Sequence, residues 1–238
     1  AKVLSVSGTV MRTEGAAFIK VGGRESPLKA GDILREGDRL HSTKGSKAFL
    51  VFSNGSEITL FQNSSLSIVD LEQEPYTSKR IYNELEADPS KSQTLLELDY
   101  GQLDGHVKKL SNTSSFNIKT PLGTAAIRGT RFSISLLFTA NKFRLTISNF
   151  DGLVDLITRT TAAVITGDTG KDEGNTFDNG SDVSVTPIPP AGKCNVETNE
   201  GSPVFNAIVS GLAAAPGLAV SVSANGTLTV EIELGGAG

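Results

Sequence analysis

The 238-residue chain has no tryptophan, one methionine, one cysteine and two histidines, and each scarcity removes a class of chemistry. With Cys194 alone no internal disulfide forms, and the widely separated His41 and His106 leave no metal-binding spacing. Cys194 reads either as an unpaired thiol in a loop or as half of an intermolecular disulfide. Charged residues are 20% of the chain, net charge is −4 and the pI is near 5.3, so nothing draws the whole molecule to nucleic acid or anionic lipid. No apolar run reaches the roughly 18 residues that a membrane-spanning helix needs. An initiator methionine is also missing, and the opening Ala1-Lys2-Val3 reads as a chain secreted through a cleaved signal peptide or as a trimmed one.

Glycine is plentiful, with 25 residues, and hydrophobic residues make up 38%, a profile that favours short strands and tight turns over helical packing. Val3, Val6 and Val10, followed by Phe18-Ile19-Lys20-Val21, predict a first hairpin through Glu14-Gly15. Residues 49–52 and 57–61 flank Ser53-Asn54-Gly55-Ser56, a tight hairpin turn. After a strand at 67–71, residues 72–93 turn polar and charged, an insertion with a short helix around 79–87 between Pro75 and Pro89. Strands resume at 94–98, 102–110 and 115–119, the last alternating so that one face is buried. Residues 131–136, 143–147 and 152–158 read as three consecutive antiparallel strands, and Val183-Ser184-Val185 closes the series.

Pro187-Ile188-Pro189-Pro190 then predicts a stiff connector (187–190) between a β domain, 1–186, and an extension, 191–238. Ser202 supplies an N-cap and Pro203 a first helical residue, and Val204, Phe205, Ile208, Val209 and Leu212 recur at helical spacing. Pro216-Gly217 stops that helix. A second Asn-Gly hairpin follows, with Leu218, Val220 and Val222 on one face of its first strand and Leu228, Val230, Ile232 and Leu234 on one face of its second. A helix and a hairpin of fewer than about 50 residues offer too little core to stand alone. Their apolar faces need either the main domain of the same chain or a neighbouring copy whose sheet edge accepts a strand.

The stretch Thr120-Pro121-Leu122-Gly123-Thr124-Ala125-Ala126-Ile127-Arg128-Gly129-Thr130-Arg131-Phe132 is too apolar and too specific for an ordinary loop. Pro121 fixes one backbone angle, while Gly123 and Gly129 permit conformations and close approaches that a side chain would block, so a strand crossing at a crowded place is expected. The segment resembles the central signature of the FecR-type domain. Gly8-Thr9-Val10, the competing turns Gly31-Asp32 and Gly37-Asp38, Asn54-Gly55-Ser56, Gly101 and Asp151-Gly152-Leu153-Val154 stand around it in the family's order. The resemblance implies an all-β fold, an antiparallel β-sandwich or a solenoid-like winding, carrying a small C-terminal helix and hairpin. It also implies a non-catalytic module outside the bacterial cytoplasm, in which Pro121, Gly123, Arg128, Gly129 and Thr130 serve the fold. In the best-known members this domain follows a cytoplasmic anti-sigma segment and a transmembrane helix and relays signals from an outer-membrane receptor.

Other chemistries find little support. Asp32 and Asp38 each follow a glycine, where aspartate caps a turn, and the scattered glycines Gly8, Gly15, Gly22 and Gly23 match no phosphate-binding loop. Asp168, Asp172, Glu173, Asp178 and Asp182 sit among glycines and could offer oxygens to calcium, but their spacing is not that of an EF-hand and a solvated acidic loop suits them better. Arg128, Arg131, Lys142 and Arg144 form a basic group, either facing an acidic partner or paired with Asp151 and Asp155. The expected role is therefore structural: a cell-surface or extracellular protein that self-associates into a homo-oligomer or a homopolymer through Val3, Val6, Leu218, Val220, Val222, Leu228, Val230 and Ile232, without nucleic acid and with a cell-envelope partner. The alternative is a periplasmic sensor or ligand-binding module.

Overall fold

The computed structural model describes residues 4–5, 8–15, 17–21, 24–78, 80–158, 164–168, 184–223 and 228–232. In chain order its strands are β1 (Leu4–Ser5), β2 (Gly8–Glu14), β3 (Ala17–Val21), β4 (Arg24–Pro27), β5 (Ile33–Leu34), β6 (Arg39–Ser42), β7 (Lys47–Phe52), β8 (Glu57–Leu60), β9 (Ser64–Gln73) and β10 (Ser92–His106). Beyond these lie β11 (Ser115–Thr120), β12 (Gly123–Arg128), β13 (Arg131–Thr139), β14 (Lys142–Asn149), β15 (Leu153–Thr158), β16 (Val164–Asp168), β17 (Ser184–Ile188) and β18 (Lys193–Glu197). Helix α1 (Pro203–Ala214) and the strands β19 (Leu218–Val222) and β20 (Leu228–Ile232) complete the described elements, with one 3₁₀ turn at Tyr82–Glu84.

Alternation along each strand makes it two-faced. In β10, Leu96, Leu98 and Leu103 enter the core while Glu97 and Asp99 point the other way. The ladders form one hydrogen-bonded network laid out as two sheets that share β10. The first sheet runs β4-β3-β6-β9-β10-β11-β12-β15-β17, with β1 also beside β9. Running β5-β2-β7-β8-β10-β13-β14-β18-β16, the second has β10 again at its centre. These pairings are antiparallel except β10 with β11. Pro27 of β4 lies opposite Phe18, and Pro187 of β17 opposite Asp155, so both outer strands of the first sheet carry a proline. The inner faces meet in one core, where Phe52 of the second sheet and Phe116 of the first meet edge to face at 6.1 Å.

Strand β10 changes sheets at Gly101, whose φ of +104° is the reason the position is glycine. Crowding adds a second reason, because a Cβ there would lie 2.1 Å from Ser64 Oγ. The same hydroxyl accepts the Gln102 N–H at 2.9 Å and donates to Gln62 O at 3.1 Å, tying the bend to the start of β9. At Gly105 a Cβ would meet the Phe132 ring at 2.3 Å, so the missing side chain makes room for a core phenylalanine.

Several sequence expectations are corrected by this winding. The strands expected at 94–98 and 102–110 are one strand. Strands β2 and β3 do not form a hairpin: Gly15, at φ +68°, is a corner that passes the chain from one sheet to the other. Strand β15 likewise joins β12 and β17 in the first sheet and does not pair with β14. The helix expected at 79–87 is only the Tyr82–Glu84 turn. In the Asn54-Gly55 turn, which forms as expected between β7 and β8, Gly55 alone takes a positive φ, +82°. The expected connector is half strand and half turn, since Pro187 and Ile188 belong to β17 and β18 lies between β14 and β16. Sandwich and solenoid are thus both apt: two packed antiparallel layers are wound by a chain that repeatedly changes layer.

The C-terminal segment docks on its own chain. Ser202 Oγ accepts the Phe205 N–H at 3.1 Å, and Pro203 opens the helix as its spacing predicts. Phe205, Ile208 and Leu212 are buried, and the Phe205 ring lies 5.3 Å from Phe143 and 6.1 Å from Phe138. In the hairpin, Leu218, Val220 and Val222 stand opposite Ile232, Val230 and Leu228, and Leu218 and Leu228 are buried while Val222 stays exposed. The residues expected to mediate assembly therefore include several that pack on the protein's own core. Val3, Val6, Leu234 and the acidic residues 172, 173, 178 and 182 lie outside the described residues.

Two outcomes follow. Gly101→Ala should cost at least about 3 kcal/mol in urea unfolding, because backbone and Ser64 must both yield, whereas Gly129→Ala, whose Cβ would make only ordinary contact with the Lys109 backbone at 3.5 Å, should cost about 1 kcal/mol; equal losses would contradict the bend. Phe205→Ala should cost about 3 kcal/mol at every protein concentration. A loss that vanishes on dilution would mean that the helix packs on a neighbour.

Candidate functional site

The signature segment builds a corner. Thr120 Oγ1 donates to Gly123 O at 2.9 Å and accepts the Leu122 N–H at 3.2 Å, so the Pro121-Leu122 turn is closed by its own threonine. A Cβ on Gly123, at φ +156°, would meet Leu156 Cδ1 at 2.9 Å. At the far end Gly129, at φ +58°, and Thr130 pass the chain into the second sheet, next to the place where Asp151-Gly152 returns it to the first. Thr130 Oγ1 donates to Asn149 Oδ1 at 2.6 Å, and the Asn149 amide donates to Ile188 O at 2.8 Å. Gly152 has no room for a side chain, since a Cβ would lie 2.3 Å from Gly129 O. Pro121 and Gly123 thus belong to the turn before β12 and Gly129 and Thr130 to the crossing after it, while Arg128 is exposed.

The basic group separates. Arg131 pairs with Asp151 at 2.9 Å, and the Asp151 carboxylate also accepts the Arg131 backbone N–H at 2.7 Å, which holds its pKa below the ordinary carboxylate value. Arg144 and Lys142 share Glu197 instead, at 2.6 and 3.5 Å, so Asp155 is not the second partner. Both arginines stand on the outer face of the second sheet, in ion pairs of the kind that contribute little to stability.

Besides a recess of about 420 Å³ over the Pro121-Leu122 turn, two others of similar size lie on the surface. The first, about 380 Å³, lies on that outer face, where Glu57, His106 and Arg131 stand in one cross-strand row above Thr59 and Asp104, with exposed Phe150 at the rim. Burial, then the neighbouring Lys108 cation, lowers the His106 pKa below 6.5, outweighing the opposite pull of Glu57 and Asp151. Lys108 also pairs with Glu57 at 3.4 Å.

The second recess, about 390 Å³, lies between α1 and the outer face of the first sheet. One wall is apolar, from Val204, Ala207, Ile208, Gly211 and Leu212 of the helix, and the other holds Pro121, Glu97 and Asp99. Asp99 Oδ2 accepts from Arg39 Nη1 at 3.0 Å and from Ser65 Oγ at 2.8 Å, and Glu97 pairs with Lys119 at 2.9 Å. Burial raises the Asp99 pKa, against the lowering effect of Arg39 and Ser65. Beside this recess Gly217, φ +83°, lies against His41: a Cβ there would sit 2.7 Å from Nε2, and His41 is fully covered. The Asp99 cluster was missed by the motif reading. Its one sequence signal is a carboxylate on the polar beat of an alternating strand, two residues before the glycine at which the strand bends.

Cys194 is buried in β18 rather than in a loop, and burial pushes its thiol pKa up to about 11, which makes it unreactive. An intermolecular disulfide would require β18 to open. Among the described residues no cluster of three or more His, Cys, Asp or Glu is placed to hold a metal, and of the acidic loop only Asp168, in β16, is described. No described helix is long and apolar enough to cross a membrane.

Two layers wound about a shared strand, with structural corners and surface recesses, define an all-β module. Residues 38–155 match the family model described as FecR protein, a span that includes the whole signature and both glycines of β10. No curated protein matches the sequence. Two crystal structures of a candidate anti-sigma factor from Parabacteroides distasonis ATCC 8503 are similar in fold. The first, at 1.65 Å, is 12% identical with a TM-score of 0.39, covering 82% of this chain and 59% of that one. For the second, at 2.50 Å, the identity is 10% and the TM-score 0.41, with 82% and 99% covered. The chain thus spans 59% of the length of the first of these relatives.

A pH effect follows from His106. The fold favours its neutral form, so the folded pKa lies below the ordinary 6.5; the stability this supplies is complete above 6.5 and is lost as pH falls through the folded pKa. His106→Gln should therefore lose less unfolding free energy than the parent between neutral pH and the acid side of that transition. Identical pH slopes in denaturant melts would exclude a histidine held neutral by the fold.

Proposed function

We propose that the protein is a non-catalytic, extracytoplasmic regulatory module that senses by binding. The observation that carries this reading is the FecR match over residues 38–155, which spans the core of both sheets and brings with it a family of regulatory proteins. The geometry supports it: Gly123, Gly129 and Thr130 serve turns and crossings of the fold, while Pro121 also lines the recess under α1, so recognition falls to the outer faces and to that recess. That recess is made with residues 204–215, beyond the matched span, so the common domain is joined to a feature of this chain's own. Deleting the gene in its host and profiling transcripts tests the reading. A confined set of altered transcripts, restored by the wild-type gene, is expected, and an unchanged profile while the protein is normally expressed would overturn regulation.

One observation favours a second reading, self-association as a subunit of a cell-surface polymer: among the described residues β19 and β20 pair only with each other, leaving both outer edges of the hairpin without a strand partner. Light scattering across a concentration series distinguishes the two. A mass that grows with concentration, and stops growing when residues 218–238 are removed, is the assembly outcome; one monomeric mass throughout excludes it.

A further inference from the structure

The recess between α1 and the first sheet is built unlike the rest of the surface. Its helical wall carries no charge, and its narrowest residues are Ala207 and Gly211, one turn apart on the rim. At Gly211 a Cβ would meet nothing within 4 Å, so the recess is open at the middle of the helix. Opposite that wall stand two carboxylates, each only half satisfied. Both hydrogen bonds to Asp99 end on Oδ2, and Lys119 approaches Glu97 through Oε1, so Asp99 Oδ1 and Glu97 Oε2 have no partner among the described residues. The Asp99 side chain retains 13% exposure and that of Glu97 28%, which is enough for a small donor group to reach them.

We propose that this recess binds a primary ammonium group attached to a compact apolar body, the ammonium lying between Asp99 and Glu97 and the body against Val204, Ala207, Ile208 and Gly211. An ammonium presents three donors, matching two acceptor oxygens with one bond left for water. Arg39 engages Asp99 through Oδ2 and Lys119 engages Glu97 through Oε1, so each carboxylate keeps one oxygen for an added cation. A carboxylate ligand would face the same oxygens and be repelled, and a neutral alcohol could satisfy only one of them as donor. The raised pKa of Asp99 agrees, because a desolvated carboxylate gains from a further cation. At about 390 Å³ the space lies within the range of small-ligand pockets. Free amines and the lysine side chain of a peptide share this chemistry.

The proposal rests on the binding reading given above, but its test reads affinity and not transcripts, so each can fail alone. Hexylamine, hexanol and hexanoate are titrated against the full chain by heteronuclear NMR, alongside a capped leucyl-lysine peptide amide. Hexylamine should bind most tightly and hexanoate least, with shifts centred on residues 97–99 and 204–212. Asp99→Asn should weaken hexylamine about tenfold, one such ion pair's worth of roughly 1.4 kcal/mol, and leave hexanol unchanged. Should Asp99→Asn fail to fold, Glu97→Gln, at the more exposed carboxylate, supplies the same comparison. Gly211→Leu, whose Cβ meets nothing within 4 Å and whose isobutyl group takes up space in the recess, should abolish binding of both. Equal affinity for hexylamine and hexanoate, binding unaffected by Gly211→Leu, or no binding by any probe would overturn the proposal. Tighter binding by the peptide than by hexylamine supports it and identifies a protein lysine as the source.

Discussion

The whole molecule depends on one backbone bend, at Gly101. Because β10 supplies the central strand of both sheets, the angle at which the layers meet is set where it crosses between them, and Ser64 leaves no room for a side chain there. Tight packing and unusual backbone conformation are demanded at the same residue, a combination that only glycine meets. The bend also fixes which residues face outward. Asp99 lies two positions before it, and Asp104 and His106 follow on the outer face of the other sheet, so the floors of both recesses are set by the path of a single strand.

The signature segment shows how sequence specificity can be spent on architecture. Gly129-Thr130 and Asp151-Gly152 are two crossings in opposite directions, stacked so closely that Gly152 touches the Gly129 carbonyl, and Thr130 and Asn149 saturate the polar groups between them. A buried hydroxyl and a buried amide satisfied by each other and by backbone carbonyls avoid the cost of unmade hydrogen bonds at a crowded corner. Such residues would be fixed in any protein built this way, whatever its ligand. The segment after Glu197 lies beyond the matched span; it covers His41 and turns a polar sheet face into the wall of a recess.

Much of the local structure was legible in the sequence because its causes are local. Alternation revealed β11, Asn54-Gly55 revealed the β7–β8 turn, and Ser202-Pro203 revealed the start of α1. Pairing was less legible, since alternation tells that a strand has a buried face and not which sheet that face belongs to. Gly15 therefore looked like a hairpin turn when it is a corner, and 152–158 looked like a third strand beside β14 when it lies in the other layer. Pro187 suggested a linker because a proline disfavours central strands; it is tolerated since β17 is an outer one. The candidate site was the least visible of all. Asp99 meets Ala207 and Gly211 only after more than a hundred residues have wound round the core, and no motif spacing encodes that meeting.

The two outer prolines of the first sheet have a bearing on growth by strand addition. A strand laid along β4 or β17 would meet a position with no N–H to donate, at Pro27 or at Pro187, and an interrupted row of donors is a poor template. In the second sheet β5 has only two residues, too short to hold an incoming strand. That leaves β16 as the one described outer strand of either sheet that is neither short nor proline-bearing. Among the described edges of the two sheets three of four are accordingly blunted, and lateral extension is steered to the fourth.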